Sequence, residues 1–185
     1  MRRSSGQPFE SREVSHDEFD ALVAAHHGEI YTYLMLVTGK VPDAHDLSHR
    51  TFLRALETRR SLGLGAFARL RLFGIATDLC QKCLRSRSSR SRACRPRVEN
   101  DGRVSDCHVK HPVLLAMAGL SVKQRMAFAL RKIHEFDYEG VGHLLRCSSQ
   151  SARTCAMQAF RKVSQGQPLR SALGSLTMTT PTGKE

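Results

Sequence analysis

The sequence predicts an all-α chain built as two small helical modules on an arginine-rich tether, and three observations predict it. There is no tryptophan, and β-branched residues show little of the period-two alternation of strands. Alanine, leucine and arginine instead recur at helical spacings. Between two such stretches, residues 85–97 read RSRSSRSRACRPR, six arginines and four serines without one acid. A block of that kind repels itself and offers nothing to bury, which makes it a linker or a solvated arm.

Taken in order, residues 1–14 are polar and expected to be disordered. Ser15-x-x-Glu18 has the form of a capping box, in which two side chains satisfy free N–H groups at a helix start. Phe19, Leu22, Val23, Ile30, Leu34 and Val37 carry one apolar stripe through the helix that follows, and Gly39 ends it. Pro42 and Asp43 open a second helix with Leu47, Thr51, Ala55 and Leu56 inward. Ser61–Gly65 is a glycine-bearing loop. From Ala66 to about Arg85 a third helix carries two apolar stripes: Leu72, Ile75, Ala76, Leu79 and Cys83 on one, Leu70, Phe73, Cys80 and Leu84 beside it. Such a helix is buried on more than one side. These elements form a module over 15–86, followed by a linker over 87–110.

Order resumes near His111-Pro112. Ser121-x-x-Gln124 is a second capping box, opening a helix with Val122, Met126, Ala129, Leu130 and Ile133 inward. Residues 138–163 then read as a helix-turn-helix. Val141, Leu144 and Leu145 give a short helix its apolar face, Arg146-Cys-Ser148 breaks it, and Ala152, Ala156, Ala159 and Val163 form the face of a second helix capped by Ser148 or Ser149. In that arrangement the first turns of the second helix are presented to a major groove. This second module covers 111–164, and 165–185 is a flexible tail.

Charge separates the halves. Residues 1–57 hold six basic and nine acidic side chains, whereas the remainder holds 23 basic and eight acidic, for a formal net charge of +12. The basic part suits a polyanion, since each neutralised phosphate releases a counterion. The acidic part suits a protein partner. No apolar run of membrane-spanning length and no signal peptide is present, so the chain is expected to be cytoplasmic and not inserted in a membrane. The six cysteines (80, 83, 94, 107, 147 and 155) form no disulfide framework and are expected as thiols.

Two spacings resemble metal-ligand patterns. His45-x3-His49 with Asp46 echoes the metalloprotease HExxH pattern but lacks an evident third ligand, and reads as a solvated helix face. Cys80-x-x-Cys83, with Cys94, Cys107, His108 and His111, is a possible zinc or redox set. The first two, however, lie in an apolar helical pattern where cysteine acts as a small hydrophobe. No metal, cofactor or catalytic residue is expected, and the chain is read as a non-enzyme.

Asp43-Ala-His-Asp-Leu-Ser-His-Arg-Thr-Phe-Leu-Arg-Ala55 resembles the DAEDLVQETFLRA signature of the extracytoplasmic-function sigma factors of bacterial RNA polymerase. Leu120-Ser-Val-Lys-Gln-Arg125, Tyr138-Glu139 and Arg161-Lys-Val163 resemble that family's second module, whose usual form runs LPxRQR and then SYEEIAxLLGCSxGTVRSRLxRARRKL. The resemblance spans both modules, their order and the tether. It implies two helical domains lying apart on the polymerase, bound to core RNA polymerase and promoter DNA, with an anti-sigma factor as a further partner.

Carried over, polymerase docking falls on Asp43, Asp46, Leu47, His49, Thr51 and Phe52. Capture of the melted minus-ten element falls on Arg59, Arg60, Ser61, Leu62, Arg69, Thr77 and Asp78. Reading of the minus-35 element falls on Ser149, Gln150, Ser151, Arg153 and Thr154. Residue chemistry suits these roles: Arg153 is long enough for guanine O6 and N7, and hydroxyls reach phosphates or bases. Arg59 and Arg60 sit beside flexible glycines, although Phe67 is the one stacking platform nearby. The sequence departs from the pattern at His45, His49 and Arg69, where the family has Glu, Gln and commonly Trp. It departs again at Cys155 and Gln158, where two phosphate-contacting arginines are missing. The function implied is an alternative sigma factor. The second reading is a degenerate sigma-like regulator that competes for polymerase or an anti-sigma factor without productive promoter recognition.

Overall fold

The computed structural model describes residues 14–59, 65–93 and 112–165, and among these every regular element is helical. The expectations for 1–13, for Arg60, Ser61 and Leu62, for Cys94, Cys107, His108 and His111, and for the tail lie outside the described residues.

Helix α1 (His16–Thr38) begins at the expected capping box: Ser15 Oγ accepts from the Glu18 N–H at 3.3 Å, and Glu18 accepts from the Ser15 N–H at 2.9 Å. It ends where Gly39 takes the left-handed conformation, φ +69°, and donates to the Met35 carbonyl. Helix α2 (Val41–Glu57) follows with proline in its first turn. Helix α3 (Gly65–Ala93) crosses both. Its backbone stays helical to Ala93, well into the arginine block expected to be a linker. Four N-terminal arginines in that stretch alternate with serine, and neither residue type breaks a helix as Gly or Pro would.

Helix α4 (Pro112–Ala118) precedes α5 (Val122–Phe128), which starts at the second capping box, Ser121 with Gln124. Helix α5 does not continue regularly to Ile133. It widens into a π turn over Ala129–Ile133, after which Glu135 takes φ +59°. Helices α6 (Tyr138–Leu145) and α7 (Ser149–Gln165) form the helix-turn-helix. Asp137 caps α6, and Ser148, not Ser149, caps α7 by accepting from the Ser151 N–H at 3.2 Å. The turn is tight: a Cβ at Gly142 would stand 2.8 Å from the Cys147 carbonyl oxygen and 3.2 Å from the Ser149 nitrogen. The left-handed position closing α6 is filled by Arg146, φ +52°, where the family pattern quoted above has Gly.

The apolar stripes are buried largely as expected. Ala152, Ala156, Ala159 and Val163 of α7 pack on α5 and α6, and small side chains there let the helix axes approach closely. Leu56 is an exception, 36 % exposed. Tyr33, Leu36, Phe52 and Phe128 are buried beyond expectation. Tyr33 explains why: it faces a neighbour that sequence periodicity cannot show.

That neighbour is the other half of the chain. The modules do not lie apart. Helix α1 packs on α4, α5 and the π turn, α3 packs on α6, and one continuous apolar core runs through all of them. Helix α3 carries two apolar stripes because it faces α1 and α2 on one side and α6 on another.

Candidate nucleic-acid interface

Helix α7 presents an exposed polar and cationic face. Opposite the buried alanines lie Gln150, Arg153, Thr154, Met157 and Arg161, all exposed, with Ser149 at the start and Ser151 half-buried. The buried face is seated on α5 and α6, so the outward one is held rigidly. Arg153 stands 6.0 Å from the centre of the Tyr138 ring, and Arg131 stands 5.1 Å from the same ring. Thr154 donates to the Gln150 carbonyl at 3.0 Å. Gln158 is engaged by Gln124 at 3.1 Å, so it stabilises the module. Met157, Arg161 and Tyr138 join this face although none is among the minus-35 positions that the resemblance implies. The first two were legible as the i+7 and i+11 positions from Gln150, but Tyr138 emerges only from the fold.

The residues expected to meet the melted element divide differently. Thr77 is fully buried and bonded to Tyr33, Oγ1 to Oη 2.8 Å. Burial pushes the Tyr33 hydroxyl well above its ordinary range, partly offset by that bond. Arg69 is likewise engaged within this arrangement. Its Nε and Nη2 donate to the two carboxylate oxygens of Glu29 at 2.9 and 3.2 Å, and Nη2 also donates to the His134 carbonyl at 2.9 Å. The guanidinium lies 4.5 Å from the Phe136 ring centre and 5.3 Å from that of Phe73. Asp78 accepts from Arg146 at 2.7 Å. Thr77 and Arg69 therefore serve packing within or between the modules, and Asp78 makes an exposed ion pair between them. Arg59, at the end of α2, is half-buried with Nη1 3.4 Å from His16 Nδ1.

On α2, Leu47, Thr51 and Phe52 point inward, at 1, 0 and 8 % exposure, and Thr51 donates to the Leu47 carbonyl at 2.7 Å. They are core, not docking contacts. The outward face of α2 carries Asp46, His49, Arg50 and two exposed leucines, Leu53 at 48 % and Leu56 at 36 %. Asp43 is half-buried. Leu53 and Leu56 had not been assigned to a partner surface. Their spacing from Asp46 and His49 is the signal that could have found them.

Between α3 and α6 lies a groove of about 980 Å³, lined by Arg54, Arg71, Arg146 and Asp78 together with Phe67, Ile75 and Leu144. Both modules line it. No three His, Cys, Asp or Glu side chains gather to hold a metal among the described residues. Cys80 is buried, and that burial pushes its thiol up to about 12, so it is unreactive as a nucleophile in this arrangement. No described helix is long and apolar enough to cross a membrane.

No protein-family model matches the chain, and no curated protein matches it. A solved structure does: the sigma factor RpoE in complex with the anti-sigma factor NepR from Bartonella quintana. The match has a TM-score of 0.67 at 17 % identity and covers 83 % of this chain and 99 % of that one. At that identity the likeness speaks for architecture alone, and on it the chain has the fold of a sigma factor.

Proposed function

We propose that this protein is an alternative sigma factor, a cytoplasmic, non-enzymatic subunit that binds core RNA polymerase and directs it to promoter DNA. The observation that carries the reading is the exposed face of α7, Gln150, Arg153, Thr154 and Arg161, set on a rigid helix-turn-helix within a sigma-factor fold. That face holds two cations and two polar groups of the kind that read base edges and phosphates. The outward stripe of α2, Asp46, His49, Leu53 and Leu56, supplies the polymerase-docking surface. The groove lined by both modules is a fitting seat for an anti-sigma factor, as its arginines and apolar side chains match an acidic amphipathic segment.

Geometry adds one requirement. Elements centred near minus ten and minus 35 are separated by about 25 base pairs, or roughly 85 Å of duplex. Helix α3, the longest element, spans about 44 Å, roughly the diameter of a compact particle of this size. The arrangement described above therefore cannot read both at once, and promoter recognition requires the modules to separate.

The decisive experiment is in vitro transcription with purified core polymerase on a pooled genomic template from the source organism. Discrete new transcripts that depend on this protein, lost in Arg153→Ala, are expected. Tight core binding without a transcript favours the competitor reading, for which the closed arrangement and the missing arginines at Cys155 and Gln158 speak. Absence of core binding overturns both.

A further inference from the structure

The join between the modules has a polar centre. His134 follows the π turn, is 5 % exposed, and enters a nest formed by Tyr33 of α1 and Phe73 of α3, with ring centres 5.9 and 4.8 Å away. Its carbonyl accepts from Arg69, which in turn grips Glu29. Glu29 also meets His26 Nδ1 at 3.2 Å. Buried His134 Nε2 has no hydrogen-bond partner among the described residues. The backbone is distorted to deliver this ring: a π turn before it and a left-handed non-glycine residue, Glu135, after it. Strain of about 1–3 kcal/mol persists at such a position only where the surroundings over-determine it, and π turns concentrate at functional positions.

We infer that Glu29, Arg69 and His134 form a latch that holds the helix-turn-helix module closed against the first module, and that protonation of the His134 ring releases it. The charged and titratable groups facing the ring are Glu29 and Tyr33 from α1 and Arg69 from α3, with His26 behind Glu29. An imidazolium formed there has no free counter-charge. Glu29 is already bound to Arg69 in a two-point grip, and the Arg69 guanidinium repels a second cation. Burial accordingly pushes His134 down to about 4 from an ordinary 6.5; Glu29 opposes that shift and Arg69 adds to it. In the open form the ring meets water and titrates near its ordinary value. The closed form thus binds fewer protons than the open form, is fully favoured above pH 6.5, and weakens as pH falls from 6.5 towards 4. Between pH 7.5 and 5.5 the open-to-closed ratio rises about tenfold. The link from opening to promoter reading rests on the function proposed above; the latch does not.

Hydrogen exchange on the full chain tests it without polymerase or DNA. Protection, corrected for intrinsic rate, is followed over residues 129–138 at the join and over α7 as an internal reference, from pH 7.5 to 5.5. Protection at the join is expected to fall about tenfold while α7 holds. His134→Phe, which keeps a ring in the nest but cannot be protonated, is expected to remove the pH dependence, and Glu29→Gln to lower protection at the join already at pH 7.5. Unchanged protection at the join, an equal fall in α7, or the same pH response in His134→Phe overturns the latch. If the latch holds and the transcription experiment fails, only the sigma reading is lost.

Discussion

Two arginines tie the same two modules together, and they show how little an ion pair means apart from its surroundings. Arg69 and Arg146 each bond a carboxylate on another helix, at 2.9 and 2.7 Å. Arg69 reaches Glu29 within its own module, carries that pair across to the His134 carbonyl, and is packed against two aromatic rings, with its side chain 26 % exposed. Arg146 reaches directly across to Asp78, but its side chain is 76 % exposed and water and salt screen the charge. The shorter bond is the weaker tie. Arg146 also occupies a left-handed position that favours glycine, so its local backbone works against whatever the pair contributes.

The comparison breaks most completely at Phe73, whose ring lies against Tyr33, Phe136, Arg69 and His134. Phe73→Ala is expected to cost about 3–5 kcal/mol in urea unfolding, because a fully buried ring is lost where both modules meet. A double-mutant cycle on Glu29 and Arg69 is expected to give a coupling of about 1–2 kcal/mol, reduced from the buried limit because the carboxylate is partly exposed. The same cycle on Asp78 and Arg146 should give less than about 0.5 kcal/mol, and equal couplings would show that burial does not set the difference.

Arg146→Gly sharpens the contrast. Relief of the left-handed backbone is worth about 1 kcal/mol and exceeds the lost pair, so the variant should be slightly more stable by the same assay. Acid provides the smallest separable effect. Burial alone would raise the Glu29 carboxyl, but the Arg69 hydrogen bonds and charge outweigh it and hold the group below its ordinary 4.5. Its contribution is therefore complete above that value and lost as pH falls below it, after His134 has already begun to titrate. Glu29→Gln should flatten the low-pH end of a stability profile, whereas His134→Phe should remove the limb between pH 6.5 and 5.

Much of the helix-turn-helix was legible because its determinants are local. Ala152, Ala156, Ala159 and Val163 needed only a 3.6-residue period to be placed on one face, and Ser15 and Ser121 needed only a partner three residues on. The candidate reading face of α7 followed, as the complement of that apolar stripe. On α2 the same period placed Leu47 and Thr51 inward, as found, and erred at Leu56, whereas the docking roles that the resemblance implied for Leu47, Thr51 and Phe52 fall on buried side chains. Only packing shows which side of that helix is outward, and Leu53 and Leu56 are on that side. Arg69 and Thr77 misled for a related reason. A polar side chain in a helix looks like a surface contact until its partner, 40 or 44 residues away in sequence, is seen beside it.

The sequence by itself determined that the chain is helical, where most helices start and stop, and which face of α7 turns outward. Those properties depend on hydrogen bonds and apolar spacing within a few residues. The tertiary structure alone decided that the two modules close on one core, that the π turn drives His134 into it, and that Arg69 is held by Glu29 rather than free for DNA. Each of these depends on groups far apart in the chain whose burial cancels or magnifies their charge, and no local pattern encodes which distant surface will supply that burial.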